Sequence, residues 1–155
     1  MSPDPPSHAA TITDAYSLEV GAHDMAALTA AAPQIMRGSN MFIPYLPSQN
    51  DEARLAAAQR VRALGFAPMP HLSARRIASL DALQAFVRRA VDEAGVERCL
   101  VIAGDAPSAV GPFSDSVSLI ETGVFERSGI KAIGVAGHPE GHPSMPASAQ
   151  WDVLE

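Results

Sequence analysis

Residues 132–143 read AIGVAGHPEGHP, an apolar run that is followed by glycines, histidines and one glutamate. Residues 100–105 read LVIAGD, and this apolar run also ends abruptly, in Gly104 and Asp105. Apolar runs that stop at polar groups are typical of buried parallel strands whose carboxyl ends carry a site. The two segments therefore predict a parallel α/β fold with functional side chains at one end of the sheet.

Strand-like and helix-like patterns alternate along the rest of the chain. Strands are predicted at 16–20, 41–46, 66–72, 100–103 and 132–136. A first helix is predicted to begin at Asp24, and others are predicted at 52–64, 79–94, 116–128 and 147–155. Pro44 is expected at an end or a bulge of the second strand, and Pro68 and Pro70 are expected to break the third. Two architectures fit this alternation: a five-stranded doubly wound sheet, or the front part of a (βα)8 barrel, which normally needs about 250 residues.

Composition limits the class of protein. The 155 residues are 47% apolar, which is enough to bury the core of one domain at 14–155 behind a flexible tail at 1–13. Lysines and arginines are scattered and the net charge is -6, so no nucleic-acid surface is predicted. No apolar run is long enough for a membrane. The single cysteine, Cys99, is expected to be a reduced core residue, as is typical of a cytoplasmic protein.

Ionisable residues stand at the predicted strand ends. Glu19 lies inside the first strand, where a partly desolvated carboxyl group would keep its proton more readily and could act as a general acid. Asp105 follows the fourth strand and is either a ligand-facing carboxylate or a turn residue. His71 ends the third strand. For Arg75 and Arg76 a solvated surface position is favoured over a phosphate contact.

His138 and His142 are four residues apart, which raises the question of a metal site. Pro139 and Pro143 oppose a helix across them, and no cysteine or further histidine cluster accompanies them. No metal is therefore predicted. A contact with an anion or a cofactor suits these two imidazoles better.

Four segments of the chain resemble the methylenetetrahydrofolate reductase family of flavoenzymes, and they occur in the family's order. YSLE at 16–19 resembles the Ser-Phe-Glu segment of the first strand, and PHL at 70–72 the Pro-His-Leu of the third. GDAP at 104–107 resembles the Arg-Gly-Asp-x-Pro segment of the fourth strand. VAGHPEGHP at 135–143 resembles Val-Ala-Gly-Tyr-Pro-x-Gly-His-Pro and is the most specific of the four.

The resemblance implies a (βα)8 TIM-type barrel with FAD bound non-covalently across the carboxyl ends of the strands. It implies reduction of 5,10-methylenetetrahydrofolate to 5-methyltetrahydrofolate, with hydride from NAD(P)H passing through FAD. Glu19 matches the general acid that assists opening of the folate ring, and Asp105 matches a carboxylate near the flavin. The family's other cofactor-binding positions correspond to His71, Gly104, Phe113, Ala136, His138, His142 and Asp152.

The chain also departs from the family pattern. Ala103 replaces the arginine before Gly-Asp, His138 replaces a tyrosine, and Pro44 replaces a threonine, which indicates a divergent branch. The resemblance covers only about four and a half βα units, so a barrel truncated at that point is expected. Such a half barrel should aggregate, or should depend on a homo-oligomer or a complementing chain. The alternatives are a non-catalytic half barrel and a small α/β ligand-binding module.

Overall fold

The computed structural model describes residues 15–46, 48–138, 140, 141, 146, 148 and 151. Its strands are β1 Leu18–Glu19, β2 Asn40–Ile43, β3 Ala67–Ser73, β4 Arg98–Ile102 and β5 Ala132–Val135. Its helices are α1 Met25–Ala31, α2 Asp51–Ala63, α3 Leu80–Ala94, α4 Ser116–Ile120 and α5 Val124–Arg127. Two 3-10 turns lie at Ala32–Gln34 and Ala74–Arg76. The predicted alternation of strands and helices is confirmed over these residues.

All five strands are parallel and stand in the order of the chain, β1-β2-β3-β4-β5. A doubly wound sheet reverses its strand order at a switch point, and this order contains no reversal. Crossovers between parallel strands are nearly always right-handed, so successive helices on sequential strands fall on one face of the sheet. The strand order therefore leaves the two faces in different environments.

One face of the sheet forms the main core. Met41 and Ile43 of β2, Leu72 of β3, and Val101 of β4 share this face through the strand register, and all are buried in one cluster with α2 and α3. We call the opposite side the open face; through the register it holds Glu19, Phe42, Met69, His71, Leu100, Ile102 and Gly134. Phe42, Leu100 and Ile102 lie outside the core cluster and stay partly exposed.

Strand β3 runs without a break through Pro68 and Pro70, so the predicted interruption is wrong. The amide of Ala67 donates to Ser39 on the β2 side, and amides alternate sides along a strand. The nitrogens of the two prolines consequently face β4. The ladder between β3 and β4 begins only at the pair His71 and Leu100, so no hydrogen bond is lost at either proline.

The helices among the described residues follow the sequence patterns except at 116–128. The Ser79 hydroxyl accepts from the amide of Ala82 and caps α3, and Gly95 ends α3 with a φ of 61°. The helix predicted at 116–128 is two short helices, because Gly123 takes a φ of 65° between them. Cys99 is a free, buried thiol, as expected, and burial raises its pKa to about 12. None of the described helices has the length and apolarity to cross a bilayer.

The predicted tail at 1–13 lies outside the described residues. The predicted helix at 147–155 does so as well, apart from two isolated positions.

Candidate functional site

The carboxyl ends of β1 and β3 bring Glu19 and His71 together on the open face. The register sets Glu19 beside Phe42, and the Phe42 ring meets the His71 ring edge-on with 5.6 Å between centroids. Oε2 of Glu19 lies 3.8 Å from Nε2 of His71. The Glu19 side chain is 61% exposed because β1 is an edge strand, so the expected partial desolvation is absent.

His71 is buried, and its Nε2 has no hydrogen-bond partner among the described residues. An imidazole in this position can donate or accept one more hydrogen bond. Burial is the main cause that lowers its pKa below 6.5; the nearby Arg54 guanidinium lowers it further, and Glu19 raises it. The ring is therefore neutral at physiological pH, and its Nε2 is a buried polar atom without a partner among the described residues.

The backbone carbonyl of His71 is held by Arg54 of α2. Strand β2 ends at Ile43, so this carbonyl has no strand partner on that side, and Nη2 of Arg54 donates to it. Nη1 of Arg54 donates to Oδ1 of Asp51 at 3.0 Å. The guanidinium carbon lies 4.6 Å from the centroid of the Tyr45 ring and 4.4 Å from that of Phe86. Arg54, which is only 2% exposed, thus provides the hydrogen bond that β2 does not give to this carbonyl.

Asp105 is held by a second arginine. Nη2 of Arg76 donates to Oδ1 of Asp105 at 2.8 Å, and the Arg76 guanidinium lies 5.6 Å from the same Tyr45 ring. The hydrogen bond from Arg76 lowers the pKa of Asp105, whose side chain is 82% exposed. The Tyr45 ring therefore lies close to both Arg54 and Arg76. One chain of contacts links the two predicted catalytic carboxylates, through Glu19, His71, Arg54, Tyr45, Arg76 and Asp105.

Arg75 fixes the loop that carries Asp105. Its Nε donates to the carbonyl of Ser114 at 3.0 Å, its Nη1 to that of Ala106 at 3.3 Å, and its own carbonyl accepts from Val110. Arg75 and Arg76 are half-buried, so both are less solvated than the sequence suggested. Gly104 enters this loop with a φ of 88°, and a Cβ there would lie 3.0 Å from Cβ of Ser73.

The remaining predicted site residues differ in position. Phe113 is buried in the main core, and Ala136 is half-buried just after β5. His138 is exposed, and its carbonyl accepts from the amide of Gly141 in a turn. His142 and Asp152 lie outside the described residues. Within the described part of the chain, no group of three or more His, Cys, Asp or Glu side chains could hold a metal ion.

Sequence reasoning missed Arg54, which reads as one more exposed position on an amphipathic helix. Its only signal is that it stands four residues before Ala58 and seven before Val61, on the buried stripe of α2, where a charged residue requires a partner. It also missed Gln49, which is 4% exposed and whose two amide atoms have no partner among the described residues. No family model matches the chain.

Acidification is expected to destabilise the fold through His71. The pKa of His71 is lowered from 6.5, so the unfolded chain takes up a proton at a higher pH than the folded chain. Stability is then lost as the pH falls through about 6.5, and the loss ends below the folded pKa. The free energy of unfolding from urea titrations between about pH 7 and 5 should fall more steeply in the native chain than in His71→Gln.

His23, which is exposed in the loop before α1, supplies the matched control. His23→Gln should keep the slope of the native chain. Equal slopes for the native chain and His71→Gln would contradict this role of His71.

A methyl group at Gly111 is expected to dislodge the loop of Asp105. A Cβ there would stand 2.3 Å from the carbonyl oxygen of Ile77 and 2.4 Å from that of Ala78, and both are backbone atoms. Gly111→Ala should lower the free energy of unfolding by roughly 1–3 kcal/mol in urea denaturation. Gly137→Ala, where a Cβ meets nothing within 4 Å, should be nearly neutral. Equal stabilities of the two variants would show that this loop shifts freely.

Proposed function

We propose that this chain is the amino-terminal part of a (βα)8 barrel that reduces 5,10-methylenetetrahydrofolate to 5-methyltetrahydrofolate, with FAD as cofactor and NAD(P)H as electron donor. The sequential parallel strand order supports the barrel, because sequential order with helices on one face is the arrangement of barrel strands. The observation that carries the function is the unpartnered Nε2 of His71, 3.8 Å from the Glu19 carboxylate at the strand ends.

The residues present fit FAD in two respects. A flavin ring needs a hydrogen-bonding atom and an apolar surface, which His71 and the half-exposed Phe42 and Leu100 offer on one face. A pyrophosphate needs positive charge. The family's arginine corresponds to Ala103, which follows β4 and carries no charge. Arg76, which follows the neighbouring strand β3, would supply that charge, and it contacts Asp105.

FAD bound at this site would supply the transfer of hydride from NAD(P)H to the folate. Glu19 would be the group that donates a proton to the folate nitrogen released when the ring opens. Asp105 stays ionised because Arg76 donates to it, so it would place a fixed negative charge at the ends of β3 and β4. His71 would orient a ring heteroatom through its neutral imidazole.

Retention of FAD tests this proposal. The purified chain is incubated with FAD and passed through a gel-filtration column, and the visible absorbance of the protein peak is recorded. We expect a retained flavin band, and we expect its loss in His71→Phe, which keeps the ring shape but removes Nε2. Arg88→Gln, on the exposed side of α3, is the control and should retain the flavin. A folded native chain that keeps no flavin would overturn the proposal.

A second candidate is a non-catalytic half barrel that pairs with a complementing chain or a second copy. It is favoured by the half-exposed apolar side chains Phe42, Leu100 and Ile102, which a barrel interior would cover with further strands. Light scattering on the gel-filtration peak distinguishes the candidates. A defined oligomer without flavin would favour the half barrel. A flavin-free monomer that remains soluble would favour a small α/β ligand-binding module.

A further inference from the structure

A group of cations lies at the amino-terminal ends of the strands, opposite to the end that carries the candidate site. Its members stand in the turns before β2 and β5, in the last turn of α2 and at the first position of β4. We call this group the basic end; it comprises Arg37, Arg62, Arg98 and Lys131, with Glu97 as its carboxylate. All five residues are exposed. Strand β3 has seven residues, so about 20 Å of sheet separates the basic end from the candidate site.

The carboxylate of Glu97 draws three of these cations together. Nζ of Lys131 donates to Oε1 of Glu97 at 2.8 Å, and the amide of Lys131 donates to the carbonyl of Glu97. The hydrogen bond from Lys131 is the main cause that lowers the pKa of Glu97, and the charges of Arg62 and Arg98 lower it further. One carboxylate is therefore shared among three positive side chains.

Two glycines that follow helices let arginines lie close against the backbone. A Cβ at Gly65 would stand 2.7 Å from Nη2 of Arg37, and a Cβ at Gly95 would stand 3.4 Å from Nε of Arg62. Gly65 and Gly95 belong to the turns that lead into β3 and β4. The guanidinium groups of Arg37 and Arg62 are thus placed on neighbouring turns at one end of the sheet.

The charges of the basic end do not balance. Lys131 has a carboxylate partner, whereas the guanidiniums of Arg37 and Arg62 have no ion-pair or hydrogen-bond partner in the described part of the chain. Nη1 of Arg98 donates to the neutral amide oxygen of Asn40 at 3.3 Å. Four cations and one carboxylate leave a net charge of +3, on a chain whose net charge is -6. The carboxyl ends of α2 and α3 favour cations, so the folded chain tolerates this excess without a partner.

We propose that the basic end binds an extended acidic segment of a partner protein. Arginines form paired hydrogen bonds with carboxylates, and the exposed guanidiniums of Arg37 and Arg62 are free to do so. Neighbouring strands lie about 4.8 Å apart, so the turns before β2 to β5 span about 15 Å, the length of about five extended residues. Met36, which is 49% exposed beside Arg37, offers an apolar contact to the same segment.

The charge of the whole chain favours a short acidic segment over a larger polyanion. A nucleic acid or an anionic membrane extends beyond the basic end and meets a chain with a net charge of -6, which repels it. A segment of a few residues contacts the basic end alone. This proposal involves neither FAD nor the open face, and it is independent of the proposed reaction.

The test is a titration of fluorescein-labelled hexaglutamate with the chain, without FAD, followed by fluorescence anisotropy. We expect a saturable rise that weakens as sodium chloride is raised from about 0.02 M to about 0.3 M, because salt screens exposed charges. Separate arms use labelled hexathymidylate and vesicles that contain phosphatidylserine. Binding of either one more tightly than hexaglutamate would overturn the assignment to an acidic protein segment, as would the absence of saturable binding to hexaglutamate.

Three variants connect the binding to the basic end. Arg62→Gln should weaken it roughly two- to fivefold, the range expected for one exposed ion pair. Arg88→Gln, whose Asp92 pair lies on the surface of α3, is the control and should bind like the native chain. Glu97→Gln removes the competing carboxylate and should strengthen binding roughly two- to fivefold, a gain that a damaged fold could not produce.

Equal affinities of the native chain, Arg62→Gln and Glu97→Gln would overturn the proposal. Failure of FAD retention would leave this result unaffected, since no flavin enters the measurement.

Discussion

Replacing Glu19 with Gln is expected to slow folate reduction by roughly 10²–10⁴-fold while leaving reduction of bound FAD by NAD(P)H unchanged. Under the proposed function, Glu19 donates a proton only to the folate, and hydride transfer from the nicotinamide needs no acid. Glutamine keeps the size and hydrogen-bonding reach of the side chain beside His71, so the loss would report the proton and not the shape. Rapid-mixing measurements of the flavin absorbance separate the two half-reactions.

Glu97→Gln is the matched control, because Glu97 pairs with Lys131 on the surface and contacts none of the site residues. It should leave both half-reactions at their native rates. If Glu19→Gln also kept both rates, Glu19 would not be the acid. If it slowed both rates equally, Glu19 would act in positioning the flavin.

Replacing Arg54 with Met is expected to lower the free energy of unfolding by roughly 1–3 kcal/mol. The change leaves the carbonyl of His71 without its donor and Asp51 without its ion-pair partner. It also removes the guanidinium group that contacts the Tyr45 and Phe86 rings. Methionine fills part of the volume, so most of the loss would come from polar groups left unpaired. Urea denaturation followed by circular dichroism measures it.

The comparison for this variant is Arg88→Met. Arg88 pairs with Asp92 at 3.5 Å on the surface of α3, with its side chain 78% exposed, so the change should cost about 1 kcal/mol or less. Arg54→Lys should fall between the two, since a single ammonium keeps the charge but cannot reproduce the fork of donors. A loss in Arg54→Met as small as that in Arg88→Met would show that water replaces the guanidinium at no cost.

The elements were predictable wherever local chemistry decides them. Ser79 and Gly95 mark the ends of α3 because a hydroxyl cap and a left-handed glycine act within one turn of the helix. The prolines of β3 misled the prediction, because a proline disrupts a strand only if its nitrogen faces a bonded neighbour. Which neighbour it faces depends on the register with β2 and β4.

The residues of the candidate site were likewise predictable only in part. The places of Glu19, His71 and Asp105 at the carboxyl ends of strands were predictable, because an apolar run that stops at polar groups is a local pattern. Their partners were not, since Arg54 and Arg76 lie 17 residues from His71 and 29 residues from Asp105 along the chain. The exposure of Glu19 was also mispredicted, because whether a strand lies at an edge is a property of the whole sheet.

The sequence by itself determined that the chain alternates strands and helices and that polar residues follow the strands, because periodicity and turn chemistry act between near neighbours. Only the tertiary structure decided that the strands stand in sequential order, that one face stays open, and that two arginines lie close to the Tyr45 ring. These features depend on which distant segments pack together. Packing is decided by the burial of apolar area and the pairing of charges over the whole molecule, which no local pattern records.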